Sequence, residues 1–126
     1  MNKDPIETLN LVAQTIFDKK GFNIIALDVK GISSITDYVI VAEGNVDRHV
    51  IALSIAIQDA LRKEGEKPVF VEGTMNGDWI VLDYMQLIVH IFMPGLRDKY
   101  QLEKLFPQAE IVDLDIVVSP LQSKAS

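Results

Sequence analysis

Apolar residues recur along this chain with two periods, and the points where the period changes divide it into elements. Ile6, Leu9, Ala13 and Ile16 fall at three- and four-residue steps, one face of a helix. The helix has clear punctuation: Asp4 as N-cap, Pro5 at the first helical position, Glu7 at capping-box spacing, and Gly21 as the expected C′ residue. Two strand-length apolar runs follow, residues 23–29 (NIIALDV) and 37–42 (DYVIVA), joined by the turn-rich KGISSIT. Continuous runs of this kind suit strands covered on both faces, or on one face and an interface. After Glu43-Gly44, Asn45 is the expected N-cap of a second helix, with Val46, Val50, Leu53, Ile57 and Leu61 as its stripe and Gly65 as its end. Residues 68–72, 78–82 and 87–92 read as three further strands, the last two joined tightly enough through residues 83–86 for an antiparallel hairpin. Residues 96–106 predict a short helix with Leu102, Leu105 and Phe106 on one side, closed by Pro107. Residues 111–118 could add an edge strand, and the polar residues 119–126 are expected to fray. The order predicts one α/β domain, a mixed five-stranded sheet flanked by helices, over residues 1–106, with 107–126 as a carboxy-terminal extension.

Composition narrows what such a domain can do. The chain has 126 residues and no cysteine, which excludes disulfides, thiolate catalysis and Cys-ligated zinc. No apolar run approaches membrane-spanning length, and residues 1–10 lack the basic start and apolar stretch of a signal peptide, so a soluble, cytoplasmic protein is expected. The formal net charge is −6. Direct binding to nucleic acid is driven by counterion release from phosphates and calls for a basic surface, so this balance argues against it. It suits a basic protein partner, whose encounter acidic charge would steer.

Candidate chemistry is sparse. In GISSITDYVIV (31–41), a Gly-Ser turn followed by an acidic strand residue resembles a nucleotidyltransferase arrangement, in which paired carboxylates hold magnesium. Asp37 would be one carboxylate, but two positions on stands Val39, which binds no metal; Asp28 and Asp83 are the alternative partners. The structural alternative is that Ser33, Ser34 and Asp37 satisfy turn backbone. Arg48-His49, opening the second helix, could form an anion site or simply bond to neighbouring loops. His90, between Val89 and Ile91, reads as a structural imidazole, and neither histidine has a second ligand at metal spacing. Trp79 is the sole tryptophan, a residue type enriched in binding hot spots, although ordinary core packing is an equal alternative. Tyr84, Met85, His90, Phe92, Met93 and Tyr100 follow it, and with Asp78, Asp83 and Glu103 they could form an aromatic and Met-rich surface fringed by acid, fit for a protein interface.

Taken together, IIALDVKGISSITDYVIVAEG (24–44), Arg48-His49, VEGTMNGDWIVLDYMQLIVHIF (71–92) and RDKYQLEKLF (97–106) resemble the RsfS/Iojap family of ribosomal silencing factors, over about residues 5 to 106 and in the family's order. The resemblance implies a nucleotidyltransferase-like fold without that activity, with which Val39 agrees; no catalytic residue, cofactor or metal is expected. It implies binding to the fourteenth protein of the large ribosomal subunit, steric blocking of small-subunit joining and repression of translation, often by homodimeric proteins. On this reading the interface lies around Asp78, Trp79, Asp83, Tyr84, Met85, His90, Phe92 and Tyr100. The alternatives are a nucleotidyltransferase-like enzyme using Asp37 and a dimeric adaptor outside the ribosome.

Overall fold

The amino-terminal punctuation works as its residue types suggest. In the computed structural model, which describes residues 4–118, helix α1 spans Pro5–Asp18, and the Asp4 carboxylate accepts from the Ile6 N–H at 2.9 Å. Thr8, Leu9, Val12, Ala13 and Ile16 are buried, whereas Ile6 in the first turn is exposed. The helix ends differently from the expectation. Lys20, not Gly21, takes the left-handed position, with φ 71°. Its N–H donates to the Phe17 carbonyl at 3.0 Å and the Gly21 N–H to Ile16 at 2.8 Å, the paired bonds of a Schellman end. Gly21 is needed for closeness instead: a Cβ there would lie 2.3 Å from the Ile16 side chain.

Helix α2, Asp47–Lys63, buries Val50, Leu53, Ser54, Ile57 and Leu61. Val46, expected on that stripe, is exposed and occupies the N-cap position, with no side-chain cap bond; Asn45 lies just outside. Gly65, with φ 83°, ends the helix as its spacing predicts.

The strands are β1 (Phe22–Asp28), β2 (Tyr38–Glu43), β3 (Phe70–Glu72), β4 (Trp79–Asp83), β5 (Leu87–Phe92) and β6 (Glu110–Ile111). They form one mixed sheet in the order β3-β4-β5-β2-β1-β6. The central pair, β2 and β5, is parallel, and every other pair is antiparallel. The sheet therefore has six strands rather than five. The sixth is the short β6, which pairs with Leu27 and Asp28 along the outer side of β1. All six residues of β2 are buried, as its unbroken apolar run requires.

The two faces of the sheet differ in cover. Helices α1 and α2 close the first over Ala26, Tyr38, Ile40, Ala42, Ile80, Leu82, Leu87, Val89 and Ile91. On the second, a smaller core of Leu27, Val29, Val39, Val41 and Phe92 is covered by Leu96, Leu102, Phe106 and Ala109. The first three come from the segment expected as one helix, which is instead broken. Helix α3 spans Pro94–Tyr100, Gln101 turns left-handed at φ 47°, and a 3-10 turn follows over Leu102–Leu105. The break brings Leu102 and Phe106 onto the sheet and leaves Leu105 outside.

Beyond β6 the chain runs back along α1. Val112 and Leu114 pack against the first core. The Asn10 side chain accepts from the Asp115 N–H at 2.8 Å, and the Gln14 carboxamide both accepts from the Val117 N–H at 2.7 Å and donates to its carbonyl at 3.0 Å. The edge-strand expectation for 111–118 thus reduces to Glu110–Ile111 followed by an extended strap; residues 119–126 lie outside the described part. Among the described residues no helix is long and apolar enough to cross a membrane.

Candidate functional site

Strand register decides which side chains meet on the second face, because neighbours along a strand point to opposite sides. Phe70 pairs with Asp83, Asp83 with Ile88, and Ile88 with Val39. In the next row Glu72 pairs with Val81, Val81 with His90, and His90 with Val41; in the third, Trp79 pairs with Phe92. The segment after α3 covers the β1–β2 side of this surface. Over β3, β4 and β5 the described residues leave it open: Val81, Asp83, Ile88, Trp79 and His90 are half-buried, and Phe70 is 61% exposed.

Trp79 anchors the open half. Its ring stacks on Phe92 at 4.7 Å between centroids, with Phe92 fully buried beneath, and tilts against Tyr100 at 5.0 Å. Tyr100 is half exposed and stands at the border between covered and open sheet. The indole N–H donates to His90 Nδ1 at 3.1 Å, which places the imidazole proton on Nε2. Burial pushes His90 down to about 4, only partly opposed by the nearby Asp83 carboxylate. The imidazole is therefore neutral near pH 7 and serves as an acceptor that fixes the tryptophan.

The expected interface residues divide in two. Trp79, Asp83, His90, Phe92 and Tyr100 share the second face, and Met85 projects from the hairpin tip, 64% exposed. Met85 is left-handed, φ 72°, and the Asp83 carboxylate accepts its N–H at 2.8 Å, so Asp83 builds the turn as well as facing outward. Tyr84 lies on the opposite face, 8% exposed in the core under the helices, where burial and the charge of Glu66 push its hydroxyl up to about 12. Asp78 precedes β4, and its carbonyl accepts from Met93, a residue packed on the first core. Phe70, Glu72, Val81 and Ile88 were missed from the sequence. Strict alternation carries the signal: Trp79, Val81 and Asp83 share one parity, and Tyr84 has the other.

Of the other candidates, His49 joins two helices. His49 Nδ1 accepts from the Asn45 N–H at 2.9 Å, so its Nε2 donates to the Lys19 carbonyl, 2.7 Å away, joining the start of α2 to the end of α1. Asp37 precedes β2 with its backbone tied on both sides, its carbonyl accepting from the Val29 N–H at 2.9 Å and its N–H donating to the Gln86 carbonyl at 3.2 Å. Of its two alternative partners, Asp28 sits in the row of Tyr38 and Leu87 and Asp83 in that of Ile88, on opposite faces of the sheet, so they could not both join it at one ion. Asp28 binds Lys30, whose ammonium also donates to Tyr38 Oη at 2.5 Å. Among the described residues no three His, Asp or Glu side chains are grouped to hold a metal ion.

Residues 2–126 match the family model described as ribosomal silencing factor during starvation, RsfS. The chain belongs to the RsfS family. It is 36% identical over 115 residues to the ribosomal silencing factor RsfS of Bacillus subtilis, covering 91% of this chain and 96% of that one. A crystal structure of a Chromobacterium violaceum protein superposes with a TM-score of 0.81 at 31% identity, covering 93% of this chain and 95% of that one. Within the wider set, a mouse protein named for mitochondrial assembly of the ribosomal large subunit is 30% identical over 74 residues, 56% of this chain and 32% of that one. The RsfS resemblance seen in the sequence and the α/β class of the fold are thus both established.

Proposed function

We propose that this RsfS-family chain represses translation as a non-catalytic, cytoplasmic blocker: it binds the large ribosomal subunit through that subunit's fourteenth protein and keeps the small subunit from joining. The observation that carries the docking site is the open half of the second face. It presents Trp79, Val81, Ile88, His90 and Phe70 as an apolar patch edged by Glu72, Asp83 and the border residue Tyr100. Aromatic anchors at the centre with charge at the rim are the usual anatomy of a protein interface. The net charge of −6 favours a basic partner. The name of the mouse relative, tied to the large subunit, supports the same partner.

Blocking needs no chemistry. Subunit joining closes a wide surface, and one domain bound at the joint prevents it by excluded volume. The same apolar patch suits a homodimer, and in this reading dimerisation competes with docking; a cross-linked dimer should then bind large subunits poorly.

The test is co-sedimentation with separated subunits. The wild type should travel with large subunits alone. Trp79→Ala, shown to be folded by circular dichroism, should lose roughly 2 kcal/mol or more of binding. Absence of binding to either subunit would sink the proposal, and a nucleotide-binding test with Asp37→Ala would follow.

A further inference from the structure

Helix α3 carries Tyr100 to the border of the open face, yet little holds the helix itself. It has seven residues, none of them buried, and a helix that short is not stable alone. Leu96 gives it one half-buried contact with the second core. Its polar attachment is Arg97, whose side chain is only 13% exposed. The guanidinium donates through Nε to Glu103 at 3.1 Å, and through Nη1 to Glu43 at 2.9 Å and to the Asn23 carbonyl. Asn23 is left-handed, φ 51°, where the register of β1 against β2 slips between Phe22 and Ile25. From this bulge the Asn23 carboxamide donates to the same Glu43 oxygen at 2.9 Å. Four pieces meet at one side chain: the end of β2, the bulge in β1, helix α3 and the 3-10 turn. A planar fork serves these acceptors together, whereas a lysine offers a single point of charge.

We propose that Arg97 is a positioning residue for docking: by fixing α3 and the turn after it, Arg97 holds Tyr100 against Trp79, so that the aromatic cluster is preformed when the large subunit arrives. This rests on the docking function proposed above. Preformed anchors bind more tightly because less freedom is lost on association.

Trp79 is the only tryptophan, so the emission comes from this aromatic cluster, and comparison with Tyr100→Ala isolates the Tyr100 contact. Arg97→Gln would leave the Glu43 carboxylate, 8% exposed, without its charge partner, and can fail to fold. Arg97→Lys and the charge-neutral double variant Arg97→Gln/Glu43→Gln are therefore compared with Tyr100→Ala. Each is checked for folding, then measured by acrylamide quenching of Trp79 and by affinity for purified large subunits. Both Arg97 variants should raise quenching to the Tyr100→Ala level and weaken binding by roughly tenfold. Adding Tyr100→Ala to either should cost little more, because both act on one contact. A merely structural Arg97 would lower the melting temperature and leave quenching and affinity of the folded protein unchanged, which would overturn the assignment. So would losses that multiply in full with Tyr100→Ala. If the wild type itself binds no large subunit, the docking function fails and takes this role with it; that result is distinct, because no variant is needed to see it.

Discussion

At the scale of single residues, the Trp79–His90 pair joins stability to the open half of the sheet. The indole N–H needs an acceptor, and neutral His90 provides it. Burial pushes His90 down to about 4, against an ordinary value near 6.5. Above pH 6.5 the ring is neutral in both folded and unfolded chains and contributes no slope. Between pH 6.5 and about 4 the unfolded chain takes up a proton that the folded chain does not, so stability falls as pH falls, by up to about 3 kcal/mol across that window. His90→Gln keeps an acceptor for Trp79 and removes the titration. Denaturant unfolding at pH 7.5, 5.5 and 4.5 should show a smaller acid loss in the variant than in the wild type; equal losses would place the sensitivity elsewhere.

At the scale of elements, the loop between β3 and β4 is built around close approach. Gly73 has φ 89°, and a Cβ there would lie 1.9 Å from the Trp79 carbonyl oxygen. Gly73→Ala should destabilise the protein by about 3 kcal/mol or more, seen as a fall in the melting temperature, because backbone must shift at the head of β4. The strap along α1 is a second element-level test. Asn10→Ala with Gln14→Ala should speed hydrogen exchange at the Asp115 and Val117 amides and leave those of β2 and β5 protected, since only side chains hold the strap there. Helices and strands with a strong period were legible in the sequence, β5 to the residue and β2 in its full burial. What failed depended on single backbone positions. Lys20 and Gln101 turn left-handed without being glycine, so residue type alone puts the end of α1 one residue late and gives no sign of the break after α3. The alternation within β4 carries the site, and nearness in sequence groups Tyr84 with Trp79 although its parity sends it to the other face. Phe70 sits on a short edge strand whose pairing with Asp83 only the register reveals.

At the scale of the whole molecule, one face of the sheet is closed by α1 and α2, while among the described residues the other is closed only over its β1–β2 half. That asymmetry leaves room for a partner where a second pair of helices would otherwise pack. The net charge of −6 makes the encounter with a basic surface dependent on ionic strength. Association with large subunits should slow as salt rises from 0.05 to roughly 0.3 M, with a smaller change in dissociation; stopped-flow measurement with labelled protein reads both. In the proposed function, a folded domain seated on the large subunit is sufficient to stop joining. That sufficiency is tested most directly by light scattering of purified large and small subunits mixed with this protein. Joining should fall as the wild type saturates the large subunit, without added nucleotide, and Trp79→Ala at the same concentration should let joining proceed. Joining at full extent with the large subunit saturated by wild-type protein would contradict it.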